Sequence, residues 1–315
     1  MAQNPWIAAL FALFAWWFST GLILVVVARA DRRRNAESAH LRMTLFTLPL
    51  LALGWFGFVE TMGATDLASI YGAFLSALLI WGWFELAFLC GVLTGPNRRP
   101  CPPGAPEWER FLRAWGTIAY SEMALIATMI AVAALGAGAP NGVGVWTFGL
   151  LFAARISAKL NLYLGVRQVN EAFLPQPMRH LPSHFRSAPM NPLFPLSVTA
   201  LTLATAYWLH QIAGAAPEAP MAAGYALLAA LTALALVEHW AMILPVADAK
   251  LWSWLSPDLT ASERAASAAS APARERAAAP QSLFETLNNN SDQWRGSPPS
   301  PGSRSDTRRE MTHGL

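Results

Sequence analysis

Two cations, Arg155 and Lys159, stand one helical turn apart in the apolar stretch "ARISAKLNLYLG", residues 154–165. A charged side chain near the centre of a membrane-spanning helix costs about 2.5–3.5 kcal/mol. Two like charges on one helix face also repel each other. Both cations therefore require anions close by, and those anions should come from other segments of the chain.

Four further ionisable side chains interrupt apolar runs elsewhere in the chain: Glu85, Glu122, Glu238 and His239. With a rise of about 1.5 Å per residue, the three carboxylates and the two cations lie about 9–16 Å from the same end of their predicted helices, and His239 directly follows Glu238. We expect the three carboxylates to face the two cations across a polar core inside the membrane, with the imidazole at the same level.

Three kinds of chemistry fit such a core. It could be a structural ion-pair network, a proton or ion pathway built from the same residue types, or an iron or manganese site with carboxylate and imidazole ligands. A metal site is disfavoured, because Glu238 and His239 diverge by about 100° on a helix and no Glu-x-x-His spacing occurs. Phosphate-cradling Gly-rich loops, G-x-S-x-G and H-E-x-x-H are absent as well. The sequence thus predicts no catalytic residues and favours a protein that is not an enzyme.

Two histidines, His210 and His239, fall within predicted membrane segments. A neutral imidazole can ligate a metal ion, such as the magnesium of a chlorophyll. Both are therefore candidates for binding a chlorophyll-type pigment, with a hydrogen-bonding role as the alternative.

The elements that must position these side chains are membrane helices. The chain has 315 residues, of which 54% are hydrophobic and 13% charged, whereas soluble domains carry about 25% charged residues. Its net charge of +3 is small, so nucleic-acid binding has no support. Membrane lipids are the expected surroundings.

We predict an all-α polytopic membrane domain over residues 1–256. It has seven spans, at about 6–28, 43–62, 67–94, 116–137, 144–166, 193–213 and 221–244. Arginines crowd every second connection, while the alternate connections "GATD", "GAPN" and "QIAGAAPEAP" contain no Lys or Arg. Because Arg-rich loops stay in the cytoplasm, the N-terminus is predicted to lie outside the cell membrane and the C-terminus in the cytoplasm.

Two segments are not predicted to span. Residues 167–192 contain five prolines, which forbid a long helix, and should form a loop on the cytoplasmic membrane surface. Residues 257–315 turn to Ala, Ser, Pro and Arg and are predicted to be a disordered cytoplasmic tail. In the last span Ala222, Ala226 and Ala230 recur every four residues, which permits close helix–helix approach.

Several blocks of the chain resemble a known family. The longest is "RISAKLNLYLGVRQVNEAFLPQPMRHLPSHFRSAPMNPLFPLSVTA", and others are "WGWFELAFLCGVLTGPNRRPCPPG", "EHWAMILP" and "LWSWL". They resemble the photosynthetic complex assembly protein 2 family, the PuhE-like proteins of purple phototrophic bacteria, over residues 6 to about 256. Family members often have His-Glu where this chain reads Phe84-Glu85 and Ser121-Glu122, which further disfavours a metal site.

The resemblance implies an accessory factor of the bacterial inner membrane, with a periplasmic N-terminus, for assembling the reaction centre and its core light-harvesting complex. We expect it to act as a scaffold, or as a chaperone for bacteriochlorophyll or subunits, with reaction-centre and antenna subunits or other assembly factors as partners. The partner-contact residues would lie in the cytoplasmic loop: Asn170, Glu171, Phe173, Arg179, His180, Phe185 and Arg186. The alternatives are a metal-dependent membrane oxidoreductase or hydroxylase, and a transporter of protons or pigment precursors using the buried charges.

Overall fold

The computed structural model describes residues 4–167, 174–216 and 219–244, and these form eight α-helices. In chain order they are α1 Pro5–Asp31, α2 Ala36–Phe46, α3 Leu48–Thr61, α4 Leu67–Leu89, α5 Glu107–Leu135, α6 Val143–Leu164, α7 Leu193–Gly214 and α8 Pro220–Ala241. Within these ranges no strand forms, and a single bridge joins Val166 to Ser187. The predicted tail, 257–315, lies outside the described residues.

Six helical segments in the described part of the chain are long and apolar enough to cross a membrane. They are α1, the α2–α3 pair, α4, α5, α6 and α8. Helix α7 coincides with the remaining predicted span and has 22 residues, but it is not among the six. Its sequence contains Pro195, four Thr or Ser between 197 and 205, and His210 and Gln211 near its end, all of which lower its mean hydropathy. Seven spans and termini on opposite sides therefore remain predictions.

Side chains at the helix starts explain where several helices begin. Asn4 accepts a hydrogen bond from the amide of Trp6, and Asn35 accepts one from Ser38. Asp66 accepts from the amides of Ala68 and Ser69. Such caps satisfy amide groups that have no partner within the helix. The connections before α2 and α4 are short.

The second predicted span, 43–62, begins too late. Helix α2 starts at Ala36, and the helical path breaks at Thr47 before α3. The Thr47 hydroxyl donates to the carbonyls of Met43 and Thr44, and Pro49 has no amide hydrogen to continue the helical ladder. Asn35 caps the earlier start, a local signal that apolarity alone does not detect.

The third and fourth predicted spans also have different bounds. Helix α4 ends at Leu89 rather than near 94, and the chain turns at Gly91, whose φ is +71°. Helix α5 begins at Glu107 rather than 116. The ion pairs Glu107–Arg110 and Glu109–Arg113 stabilise this polar first part of α5.

Helix α4 lies at the centre of the bundle and contributes to both main hydrophobic clusters. Helices α1 and α8 pack closely through small residues, with Ala8 and Ala12 on one side and Ala223 and Ala226 on the other. Helix α7 packs mainly on α8, with a smaller contact to α6.

The described part of the surface loop, 174–192, packs against one end of the bundle. It contains two short 3-10 turns, Gln176–Met178 and Leu181–His184. Met178 and Leu181 are buried against Phe88 of α4. Arg110 of α5 donates to the carbonyls of Tyr163 and His184 at 3.2 and 2.8 Å, so this loop is held to α5 and α6 by polar contacts as well.

Candidate functional site

Helices α4, α5 and α6 bring four charged side chains into one cluster. Arg155 of α6 pairs with Glu85 of α4 through Nη1, and its Nε lies 3.5 Å from the Oε1 of Glu122 on α5. Lys159, one turn further along α6, pairs with the same Glu122 oxygen. We call these four residues the charge cluster. Two cations and two carboxylates balance, so the cluster carries no net charge when all four are ionised.

The charge cluster is buried to different depths. The side chains of Glu122 and Arg155 are 5% and 8% exposed, and those of Glu85 and Lys159 are 24% exposed. The ring of Phe88 lies 4.8 Å from the guanidinium of Arg155 and 4.5 Å from the ammonium of Lys159. An aromatic face attracts a cation, so the Phe88 ring stabilises both cations.

A close backbone contact sets the position of Glu122. The turn after α4 runs against α5, where the Ser121 amide donates to the carbonyl of Thr94 at 2.9 Å and the Asn97 amide donates to that of Gly116. Gly95 lies at this contact, where a Cβ would overlap the Gly116 carbonyl oxygen. The chain therefore approaches α5 this closely because residue 95 is a glycine.

His239 lies at this level of the bundle but takes part in a different interaction. Its Nε2 lies 2.8 Å from the Ser157 hydroxyl, and its Nδ1 lies 2.8 Å from the carbonyl of Ala235. A carbonyl only accepts, so Nδ1 donates, and in the neutral ring Nε2 accepts from Ser157. To ligate the magnesium of a pigment, Nε2 would first have to release Ser157. The other pigment candidate, His210, is exposed on α7.

Glu238 lines a cavity together with Glu85 and Arg155, and its side chain is exposed. Adjacent residues on a helix point about 100° apart, and accordingly His239 is buried while Glu238 is not. Within the described ranges no three His, Cys, Asp or Glu side chains are grouped so that they could hold a metal ion.

An amide network that sequence reasoning did not identify joins α6 to α7. Asn161 donates to the Ser157 carbonyl and the Ser197 hydroxyl, both at 2.9 Å. Asn191 donates to the side chain of Asn161 at 3.0 Å, and its own oxygen accepts from the amides of Leu193 and Phe194. The signal was present in the sequence, because an Asn inside an apolar helix requires polar partners and an Asn before Pro192 can cap a helix.

Four of the seven predicted partner-contact residues are described. Arg179 and Arg186 are exposed, and Arg186 pairs with Glu107 of α5. His180 and Phe185 are half-buried, with Phe185 against the cluster around Met178. The other three, Asn170, Glu171 and Phe173, lie outside the described residues.

Burial lowers the pKa values of His180 and His184 in this loop below their usual range. Repulsion from Arg98 also lowers the pKa of His180, and repulsion from Arg110 also lowers the pKa of His184. Both Nε2 atoms are buried and have no hydrogen-bond partner among the residues that the structure describes. The loop therefore holds the two rings more favourably in their neutral form.

In the part of the chain that the structure describes, fold and site together define an all-α protein with six segments able to cross a membrane, whose helices enclose a neutral cluster of two acids and two bases. The chain belongs to the family described as "Protein of unknown function (DUF3623)", whose model matches residues 1–263. It is 50% identical over 257 residues to the "Uncharacterized 30.4 kDa protein in puhA 5'region" of Rhodobacter capsulatus, an alignment that covers 82% of this chain and 93% of that protein. No solved structure matches the chain.

Proposed function

We propose that this protein is an inner-membrane accessory factor for assembly of the photosynthetic reaction centre and its core light-harvesting complex. The observation that carries the proposal is the 50% identity to a protein from the 5′ region of puhA in Rhodobacter capsulatus. That gene position agrees with the setting among photosynthesis genes that the resemblance of residues 6 to about 256 implies. The identity extends over almost all of the relative, so the two proteins share the whole helical domain rather than one segment of it.

In this proposal the helical bundle is a non-enzymatic scaffold, and the charge cluster is structural. Opposite charges from α4, α5 and α6 fix how these three helices pack, since removing one member would leave another charge buried without its counter-ion. The loop that follows α6 supplies the partner surface. Its inner residues, such as Met178, anchor it to the bundle, while Arg179 and the 54%-exposed Met190 face outward.

A deletion strain tests the proposal. Cells that lack this gene, grown under phototrophic conditions, should contain less reaction centre and less core antenna. Near-infrared absorption of their membranes measures both complexes. The gene supplied in trans should restore both. A C-terminally tagged chain isolated from such membranes should carry reaction-centre or antenna subunits, or other assembly factors, identified by mass spectrometry. Normal amounts of both complexes in the deletion strain would defeat the proposal.

A matched pair of loop variants tests the partner surface. Arg179→Glu reverses an exposed charge on the described loop, and we expect it to reduce recovery of companions without changing the amount of tagged protein. Arg99→Glu, an exposed charge on the connection between α4 and α5, is the control and should leave recovery unchanged. Equal recovery with both variants would place the partner surface elsewhere.

A further inference from the structure

A cavity of about 390 Å³ opens between α1, α4, α6 and α8, next to the charge cluster. Small-molecule sites in proteins usually enclose about 300–1,000 Å³, so the space suits a ligand or the ring end of one. Each of the four helices contributes to its wall, with residues that include Trp16, Thr20, Trp81, Arg155, Leu231 and His239.

One wall of this cavity has an unused hydrogen-bond donor. Arg155 lines the cavity with its side chain 8% exposed. Its Nε and Nη1 face Glu122 and Glu85, but its Nη2 is buried and has no partner in the described part of the chain. Buried donors in native proteins are nearly always satisfied. Because this atom is buried, an acceptor oxygen of a bound molecule would satisfy it after a small turn of the guanidinium toward the cavity.

The charges around the cavity indicate which acceptor fits. The charge cluster is already neutral, and Glu238 adds a further carboxylate to the cavity wall. A carboxylate or phosphate headgroup would place another negative charge beside Glu85 and Glu238, where like charges repel. A neutral carbonyl oxygen accepts from a guanidinium without adding charge, so it suits the site better.

The rest of the wall is apolar and partly aromatic. Trp16 and Trp81 contribute indole rings, and Leu151, Leu231 and Leu234 contribute aliphatic surface. Indole faces stack on flat rings with offset or edge-on geometry. All four helices are among those able to cross a membrane, so a molecule dissolved in the bilayer could reach the space from the lipid side.

We propose that this cavity binds a neutral, ring-bearing lipophile, one of whose carbonyl oxygens accepts a hydrogen bond from Arg155. Prenylquinones and ester-bearing tetrapyrroles share this chemistry. The inference concerns a ligand site and does not rest on the proposed role in assembly, because it follows from the cavity, the unused donor and the charge balance alone.

Equilibrium binding to the purified full-length chain in mild detergent tests the site. The probes are decylubiquinone, a tetrapyrrole methyl ester and the anionic lipid oleate. We expect saturable binding of at least one carbonyl probe, and an equal concentration of oleate should not displace that probe. The probe that binds also identifies the source of the ligand chemistry. Absence of saturable binding by both carbonyl probes, or tighter binding of oleate, would overturn the proposal.

A matched pair of variants locates the binding. Ala154 lines the cavity, whereas the adjacent Ala153 is exposed on another face of α6. Ala154→Phe should weaken probe binding about tenfold or more, and Ala153→Phe should leave it within about twofold. Ala235→Phe, from the α8 wall, serves the same purpose if Ala154→Phe does not fold. Equal binding by the cavity variants and Ala153→Phe would show that the probe binds elsewhere and would contradict the assignment.

Discussion

At the scale of single residues, Glu122 is the point on which the charge cluster depends. It accepts from Lys159 and lies 3.5 Å from the Nε of Arg155, and its side chain is 5% exposed. If Glu122 were neutral, two cations on one helix face would share the single carboxylate of Glu85. Lys159 would lose its ion-pair partner, and Arg155 would lose one of its two carboxylate neighbours.

We therefore predict that Glu122→Gln lowers the free energy of unfolding by about 3–5 kcal/mol, the usual effect of breaking a buried pair. Thermal unfolding of the purified protein in mild detergent would measure it. The matched control is Glu109→Gln, which removes an ion pair to Arg113 near the start of α5 and should change stability by about 1 kcal/mol or less. Equal effects of the two substitutions would contradict a stabilising role for the charge cluster.

The stability of the folded protein should depend on pH through His180 and His184. The folded loop lowers the pKa values of His180 and His184. The unfolded chain therefore binds more protons than the folded chain once the pH falls below the ordinary histidine pKa of about 6.5. The stability associated with the neutral rings is present above that pH and is lost as the pH falls through the lower folded values. The thermal midpoint should consequently fall on acidification from about pH 7 to pH 5.

Substitution separates this effect from the titration of other groups. The double variant His180→Asn/His184→Asn should show a weaker dependence of the thermal midpoint on pH than the unsubstituted protein. His210→Asn, an exposed position on α7, should leave the dependence unchanged. An unaltered pH profile in the double variant would exclude the two loop histidines as its source.

At the scale of elements, the contact between α5 and the turn after α4 matters most, because it sets where Glu122 stands. Gly95→Ala would place a methyl group onto the backbone carbonyl of Gly116. Backbone cannot move aside as a flexible side chain can, so we predict a loss of about 1–3 kcal/mol or more in unfolding free energy. Gly63→Ala is the control, since a Cβ there meets nothing within 4 Å. A Gly95→Ala protein with the stability of Gly63→Ala would show that the close approach is not required.

The sequence predicts the helices and the level of each charged residue along its helix well. It predicts poorly the direction in which a side chain points around the helix axis. Ionisable side chains are conspicuous in apolar runs, and a fixed rise per residue gives their level, so Glu85, Glu122, Arg155 and Lys159 could be singled out. Depth does not tell which way a side chain points around the helix axis. The Ser157 partner of His239 therefore could not be foreseen. Some predicted helix bounds were wrong for local reasons, such as the Asn35 cap before α2.

At the scale of the whole molecule, the number of spans decides where the termini lie. Seven spans place the two ends on opposite sides of the membrane, and six place them on the same side. Helix α7, with 22 residues, is long enough to cross, and its Thr and Ser hydroxyls donate back to helix carbonyls, as Thr202 does to Val198. Internal bonding of this kind reduces the penalty of polar groups in lipid.

We predict that α7 crosses the membrane and that the C-terminus is cytoplasmic. A fluorescent protein that folds only in the cytoplasm, fused after residue 315, should be bright, while alkaline phosphatase fused at the same place should be inactive. The same two reporters inserted at Gly63, between α3 and α4, should give the reverse result and serve as the control. An active phosphatase at the C-terminus would reject the seven-span topology.

We infer that the charge cluster holds the bundle together and takes no part in moving protons or other cargo. The most direct test compares Lys159→Met with the double variant Lys159→Met/Glu122→Gln in phototrophic cells, measuring the amount of this protein and the near-infrared absorption of the photosynthetic complexes. We predict that the single variant loses much of the protein and of both complexes, because it leaves Glu122 buried without its Lys159 partner. The double variant, which removes one charge of each sign, should recover protein and complexes together. Recovery of the protein without recovery of the complexes would show that these charges act in the function itself and would contradict a purely structural role for the charge cluster.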